Sequence, residues 1–429
     1  MDKIVIYGGR RLTGDISVSG MKNAADAIIL STILVEDECI IENLPDISDV
    51  NNSLDILRAM GAKVERRDRN TAIIDTTSLI PGSSPVDIVG KMRASYYLIG
   101  AELGRYSRAH VGYPGGCDFG VRPIDQHIKG FEALGADVTV QNGYINAEAS
   151  GGLKGSSIYM DVVTVGGTIN TMLAAVKADG ITIIENAAHE PHIVDTANFL
   201  NACGAQISGA GTDVIKIRGV KKLHGVTYAI IPDMIEAGTY MILAAATGGR
   251  LKINGVIPKH MDSISAKLIE MGVSITEEDE AVIVERKGRL SRVNIKTLPY
   301  PGFPTDMNPQ MCVLLCLAEG TSILTEGVFD SRFRYVEELK RMSAKIKVDG
   351  KVAIIEGTGA LTAAPVRAVD LRAGVAMIIA GLAASGRTEI DEIYHIQRGY
   401  ERIIEKLNAV GADIKLIHIP DSVIYEKAE

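Results

Sequence analysis

The 429-residue sequence contains no Cys-x-x-Cys pair, no apolar run long enough to cross a bilayer and no surplus of positive charge. Its five cysteines, Cys39, Cys117, Cys203, Cys312 and Cys316, are scattered. That spacing excludes a disulfide scaffold and suits a reducing compartment. The longest apolar runs, such as AGVAMIIAGLAA at 373–384, fall short of a membrane span. Near the N-terminus a five-residue apolar run between charged residues is too short for the core of a signal peptide. With 45 Lys and Arg against 53 Asp and Glu the net charge is −8, which argues against a general nucleic-acid binder. A cytoplasmic protein that enters no membrane and binds no nucleic acid is expected. Two short motifs also fall away. HEPH at 189–192 spaces two histidines like metal ligands, but no third ligand type clusters beside it, so no metal is expected. SGAGTD at 208–213 has no third glycine and no helix after it, and reads as a hairpin turn rather than a dinucleotide loop.

What the sequence does have is repetition. One phrase returns six times, as LRAMGAKV, FEALGADV, FLNACGAQI, LIEMGVSI, LKRMSAKI and LNAVGADI. Its aligned small residue is Gly61, Gly135, Gly204, Gly272, Ser343 and Gly411, at intervals of 74, 69, 68, 71 and 68 residues. The phrase is a helix end: apolar residues at helical spacing, a residue suited to the left-handed cap, then an alternating strand. Each unit also carries an Ala-rich segment, such as NAADAIILSTILV or MIEAGTYMILAAA, that is apolar almost all round and therefore reads as a buried helix. The expected unit runs strand, helix, strand, loop, helix, strand, strand. Six such units give an α/β protein with 46% hydrophobic residues to build its cores.

Two places in every unit are irregular and chemically varied. The start of the first helix carries Lys22 and Asn23, Arg93, Asp233 and Glu236, Asp306 and Arg372. The loop before the second helix carries Cys117 with Arg122, Glu190, Arg332 and Arg398. If equivalent ends point the same way, one lysine and five arginines converge beside helix N-termini. Such a set implies an anionic ligand bearing phosphate and carboxylate. Cys117 differs from the other thiols: in GYPGGCDFGVRPIDQH (112–127) it sits among glycines, presented rather than packed.

At SGMKNAADAI (19–28), KMRASYY (91–97), GGCDFGVRPID (115–125), YPGFPTDMNPQ (300–310), FDSRFRYVEELKRM (329–342), VDLRAG (369–374) and IYHIQRGYERIIEKL (393–407), the chain resembles the UDP-N-acetylglucosamine 1-carboxyvinyltransferase family of enolpyruvyl transferases. The match runs in order along the full length. It implies a two-domain inside-out α/β barrel of six similar units of about 70 residues, with the active site in the interdomain cleft. Residues 21–229 would form one domain, and 1–20 plus 230–429 the other. The implied reaction moves the enolpyruvyl group of phosphoenolpyruvate to the 3′-hydroxyl of UDP-N-acetylglucosamine and releases phosphate, at the first committed step of peptidoglycan synthesis. Both partners are small molecules, and no metal or organic cofactor is implied.

By that resemblance Cys117 adds to phosphoenolpyruvate and serves as general acid on a mobile loop, and matches the thiol that fosfomycin alkylates in the family. Asp306 is the implied general base. Lys22 and Arg398 join them as catalytic residues, and phosphoenolpyruvate falls to Lys22, Asn23, Arg122, Arg332, Arg372 and Arg398. The sugar nucleotide falls to Asn23, Arg93, Arg122, Pro123, Ile124, Asp125, Gln126, Val162, Val163, Thr164, Val165, Asp306 and Val328. Asp49, Asp233 and Glu190 would organise the site. Lys22, read as a partly exposed lysine at a helix start, is expected to matter for phosphoenolpyruvate use and little for stability. Departures from the family pattern stand at Val162, where several members carry lysine, at Met234, where arginine is common, and at Asp118 and Phe119 after the cysteine. They bear on uridine-side affinity and on the loop. Two alternatives remain: an enolpyruvylshikimate-phosphate synthase, whose glycine- and threonine-rich phosphate motif is missing here, and a catalytically silent paralogue, against which the retained thiol and base speak.

Limited iodoacetamide treatment followed by peptide mapping is expected to label Cys117 ahead of the other four thiols, which fall in apolar helices or strands. Preferential labelling of Cys203 or Cys312 would overturn the reading of a presented thiol.

Overall fold

A computed structural model describes residues 2–115 and 123–418; Cys117, Asp118, Phe119 and Arg122 lie outside the described residues. The six repeated phrases are where the backbone reverses. Their aligned residues all have positive φ: +95° at Gly61, +95° at Gly135, +102° at Gly204, +90° at Gly272, +67° at Ser343 and +99° at Gly411. Each closes a helix in the left-handed conformation that glycine adopts freely and serine only under strain. Beyond five of these caps the chain forms an antiparallel hairpin, as in Asp137–Gln141 with Tyr144–Glu148 and Lys345–Asp349 with Val352–Thr358. Gln206–Ser208 pairs with Val214–Arg218, so SGAGTD is the hairpin turn expected. After Gly411 the strand Ile414–His418 pairs instead with Asp2–Gly8, and the start of the chain completes the last repeat.

The Ala-rich segments form six core helices: α1 (Lys22–Ser31), α2 (Tyr97–Tyr106), α3 (Val165–Ala175), α4 (Met234–Thr247), α5 (Asn308–Cys316) and α6 (Leu371–Ala383). Every residue of α4 and of α5 is buried. A helix apolar on all sides must be covered on all sides. Outer strands such as Val214–Arg218 alternate exposed and buried residues, as one-sided sheets do. Helices lie inside and sheets outside. Cys39, Cys203, Cys312 and Cys316 are all buried and unbridged, and no described helix is long and apolar enough to cross a membrane.

By contact the chain divides into two units, Gly20–Ile231 and Met1–Ser19 with Pro232–Glu429. Within the first, α2 packs against α1 and α3; within the second, α4, α5 and α6 pack against one another. Among the described residues five sheets have four strands and one has three. In each of the five, a strand that precedes a core helix runs parallel to a strand that follows one, and in four of them the preceding strand is the shorter. Ser157–Tyr159 beside Ile181–Glu185 is an example, and Thr227–Ala229 beside Glu38–Glu42 another. The second repeat departs from the expected unit. Ahead of α2 the chain makes turns and the four-residue helix Val86–Val89 instead of a strand. Its sequence, TTSLIPGSSPVDIVGKM at 76–92, explains this: Pro81 and Pro85 remove backbone donors, and Gly82 and Gly90 weaken any extended run.

The caps give a direct test. A Cβ added at Gly135 would meet nothing within 4 Å, so Gly135→Ala is expected to lower the unfolding free energy by about 1–2 kcal/mol through backbone strain alone. Ser343→Gly should raise it by up to ~1 kcal/mol. Urea denaturation measures both, and unchanged stability in both variants would mean that the caps do not hold the repeats.

Candidate active site

The start of α1 carries the first candidate. Lys22 is buried, and its Nζ lies 3.0 Å from Asp26 Oδ2 one turn along and 3.0 Å from Asp49 Oδ2 at the start of the helix Ser48–Ala59. Ser53 Oγ donates to Asp26 Oδ1 at 3.1 Å. Burial pushes the Asp26 carboxyl above its ordinary range, and the Lys22 charge opposes that shift. The expectation of a partly exposed lysine is therefore corrected. Lys22 is the counter-ion of two carboxylates that are each only 1% exposed, and the helix-start position that brings it to a ligand also brings it to them. Asp49 closes this cluster from the neighbouring helix.

A second group in the same unit gathers Arg93, Gln126 and the 161–165 segment. Arg93 opens the turn Arg93–Tyr96 and stacks its guanidinium 4.3 Å over the Tyr96 ring. Gln126 Oε1 accepts the Asp161 amide at 2.9 Å while its Nε2 donates to Asp161 Oδ2 at 3.2 Å, which fixes the segment leading into α3. Thr164 caps α3 by accepting from the Gly167 amide at 3.4 Å. Ahead of that helix start, Val162 and Val163 hold apolar side chains 57% and 38% exposed. Ile124 is buried and Asp125 opens the helix Asp125–Ala133, while Pro123 is exposed and Asn23 half-buried.

The residue that joins these pieces was not singled out from the sequence. His127 is buried, 5.1 Å from the Tyr96 ring, with Asn170 Nδ2 donating to its Nδ1 at 2.8 Å. Asn170 Oδ1 accepts the Gly100 amide at 2.9 Å and Nδ2 also donates to Tyr96 O at 2.9 Å, so the amide has one orientation. His127 Nδ1 is then an acceptor and its proton sits on Nε2. Burial, helped by the nearby Arg93 charge, pushes the imidazole down to about 4. It is neutral at physiological pH and faces Gly166, where a Cβ would come within 2.9 Å of the ring. His127 stands in the glycine-rich stretch quoted above, but its role depends on Asn170, 43 residues away.

The third cluster belongs to the other unit. Asp306 lies in the turn Thr305–Met307, its side chain 28% exposed. Arg372 Nε and Nη2 donate to Asp306 Oδ2 at 3.1 and 2.9 Å, and Arg332 Nη2 lies 3.6 Å from Oδ1. Asp370 caps α6, accepting the Arg372 and Ala373 amides at 2.8 and 2.9 Å, and so aims the first turn that carries Arg372. Three residues not singled out from the sequence fix this group. Tyr400 Oη lies 3.5 Å from Arg372 Nη1 and 3.0 Å from Thr239 Oγ1. Buried Glu326 accepts from Thr305 Oγ1 at 3.0 Å and Asn308 Nδ2 at 2.9 Å, and also from the Val328 amide at 2.8 Å. Tyr335 Oη donates to Asn308 Oδ1 at 2.6 Å. Val328 is 39% exposed on that loop. Arg398 follows the short helix Tyr394–Gln397 and is half-buried. Asp233 is the N-cap of α4, and Glu190 precedes the helix Pro191–Ala202.

Each cluster thus sits at a helix or turn start: one unit holds a carboxylate gripped by two arginines, and the other unit holds a paired lysine and a neutral histidine hub. The family model described as EPSP synthase (3-phosphoshikimate 1-carboxyvinyltransferase) matches residues 6–407, and the chain belongs to that family of carboxyvinyltransferases. Individual relatives carry a narrower description. The UDP-N-acetylglucosamine 1-carboxyvinyltransferase 3 of Caldanaerobacter subterraneus subsp. tengcongensis is 57% identical, over 96% of this chain and 99% of its own. The UDP-N-acetylglucosamine 1-carboxyvinyltransferase of Clostridium botulinum is 54% identical, over 96% of this chain and 99% of its own. In structure, the crystallised enolpyruvyl transferase NikO from Streptomyces tendae matches with a TM-score of 0.87 at 26% identity, covering 98% of this chain and 99% of that one. The enolpyruvyl transferase fold implied by the resemblance is the fold found.

Because Lys22 neutralises two buried carboxylates, Lys22→Ala is expected to cost about 3–5 kcal/mol of stability. Adding Asp49→Asn should recover part of the loss. Denaturant unfolding of the two variants decides this, and a Lys22→Ala protein as stable as the wild type would return the lysine to a purely ligand-facing role.

Proposed function

We propose that the chain transfers the enolpyruvyl group of phosphoenolpyruvate to the 3′-hydroxyl of UDP-N-acetylglucosamine with release of phosphate. The observation that carries this reading is the grip of Arg372 and Arg332 on Asp306. Relatives of that description at 57% and 54% identity support the choice of substrates. Asp306 accepts two N–H bonds from Arg372 at Oδ2 and has Arg332 3.6 Å from Oδ1, and the carboxylate held in this way receives the sugar hydroxyl proton. The hydroxyl oxygen then bonds to C2 of phosphoenolpyruvate while Cys117 delivers a proton to its methylene carbon. The adduct carries a methyl group, and loss of one methyl proton with departure of phosphate restores the double bond. Lys22, Arg122, Arg332, Arg372 and Arg398 supply the positive field for carboxylate and phosphate.

Arg93, the Pro123 to Gln126 run, the Val162 to Val165 segment, Asn23 and Val328 hold the sugar nucleotide. The neutral His127 keeps Arg93, Gln126 and the start of α3 in register without adding charge near the diphosphate. Exposed Val162 offers an apolar surface where several family members would offer a lysine, which favours contact with the nucleoside over contact with phosphate. By the same likeness the reaction belongs to the cytoplasm and opens peptidoglycan synthesis, with Cys117 as the residue that fosfomycin would alkylate.

The reaction in deuterated water tests this. Phosphate release is expected with UDP-N-acetylglucosamine as acceptor and not with shikimate 3-phosphate, and deuterium should enter the vinyl methylene of the product. Asp306→Asn should keep sugar-nucleotide binding yet lose about 10²–10⁴-fold in turnover, the usual cost of removing a general base. Release with shikimate 3-phosphate alone would favour the other activity described for the family. Product free of deuterium, or wild-type turnover by Asp306→Asn, would overturn the assignment of acid and base.

A further inference from the structure

In the sheets of the first and third repeats the chain entering the short parallel strand supplies a carbonyl to the strand beside it. Val226 O accepts the Ile40 amide at 2.9 Å, and Ser156 O accepts the Ile183 amide at 2.9 Å. Ile40 and Ile183 are each the third residue of their strands, Glu38–Glu42 and Ile181–Glu185. The equivalent in the second repeat is His110, third in Arg108–Gly112, and among the described residues no strand runs along that edge. A groove of about 540 Å³ lies there, lined by Pro81, Gly82, Glu102, Arg108, His110 and Asn146 among others. The His110 amide donates to Glu102 Oε2 at 3.3 Å. The Gly82 amide, from the segment that replaces the strand, donates to Glu102 Oε1 at 3.3 Å. Glu102 is on α2 and fully buried.

We propose that Glu102 is a positioning residue that takes the place of the absent strand, its carboxyl group bridging the Pro81–Gly82 turn to the edge strand Arg108–Gly112. The bridge joins two stretches of backbone that matter nearby in the chain. One runs from Gly82 through Val86–Val89 to Arg93; the other runs from Gly112 to Gly115, whose backbone passes so close to Gly90 that a Cβ at Gly115 would fall 1.7 Å from Gly90 O. In the first and third repeats a peptide carbonyl does this work, and a peptide carbonyl does not titrate. A carboxyl group does. The charged or titratable groups around it are Arg108 and His110 on the edge strand, Asp137 and Glu148 on the two strands beyond it, and Tyr106 on α2 itself.

Burial pushes Glu102 up to about 7, against the opposing pull of the Gly82 and His110 amides and the Arg108 charge. When the junction opens and water reaches the side chain, its affinity for a proton falls back toward the ordinary 4.5. The bridged state therefore binds the proton more tightly than the open state. It is most favoured below the ordinary value, loses favour by up to about tenfold per pH unit as pH rises toward the bridged value, and changes no further above it.

Hydrogen exchange at the amides of His110 and Gly82, followed from pH 5 to pH 8 and corrected for intrinsic rates, tests the proposal in the full-length protein. Glu102→Ala should speed exchange at both amides by about tenfold, the loss of one or two modest hydrogen bonds, while Ile40 and Ile183, covered by true strands, keep their protection. In the wild type the opening at His110 and Gly82 should grow between pH 5 and pH 7 and then level. Glu102→Gln, which keeps one carbonyl acceptor and cannot ionise, should abolish that pH dependence. Unchanged protection in Glu102→Ala, or a wild-type pH profile in Glu102→Gln, would overturn it. Should Glu102→Ala fail to fold, the profile of Glu102→Gln decides alone.

Discussion

A helix without a polar face cannot stand at a protein surface, and six such helices dominate this chain. Every residue of α4 and α5 is buried, and α1, α2, α3 and α6 come close to that. One repeat can cover only one side of its helix with its own sheet. Three repeats closing together bring the helices against one another and leave the sheets outside, and the contacts among α4, α5 and α6 have this form. The demand to cover the helices also accounts for the chain's return to its start, where Asp2–Gly8 supplies the strand that the last repeat lacks.

That arrangement leaves helix and turn starts as the places where polar groups reach the buried interior, and it makes every charge there expensive unless it is paired. Lys22 is held by Asp26 and Asp49, and Arg372 by Asp306. Lys22, Arg332 and Arg372, all proposed to bind an anionic substrate, thus have carboxylate partners already. Under that proposal an arriving phosphate or carboxylate competes with a side chain of like charge rather than filling an empty site, so the same residues that stabilise each unit would set how tightly it takes its ligand. His127 shows the complementary solution: burial keeps it neutral, so it can join three segments of chain with no counter-ion.

Much of this was legible along the chain. The six caps, the Ala-rich helices and the hairpins after the caps were readable because each depends on residues within a few positions of one another; even Ser343, the one cap that is not glycine, takes the left-handed conformation of its equivalents. The motifs pointed to Asp306, Arg332 and Arg372 as candidates, and the structure gathers these three in one cluster. The exposure expected for Lys22 was not correct, because it is set by Asp49, which comes from a different helix.

The local sequence by itself determined where helices start and stop, because a cap, a proline or an apolar period acts over a few residues. Tertiary structure alone decided which groups pair inside: Asn170 with His127, Glu326 with Thr305 and Asn308, Tyr400 with Thr239 and Arg372. It also turned the second repeat's missing strand into a bridge built on Glu102. Those partners lie up to 161 residues apart, and no periodicity in the sequence records them. Their geometry exists only once three repeats have closed around their helices and brought these buried polar groups within hydrogen-bond reach of one another.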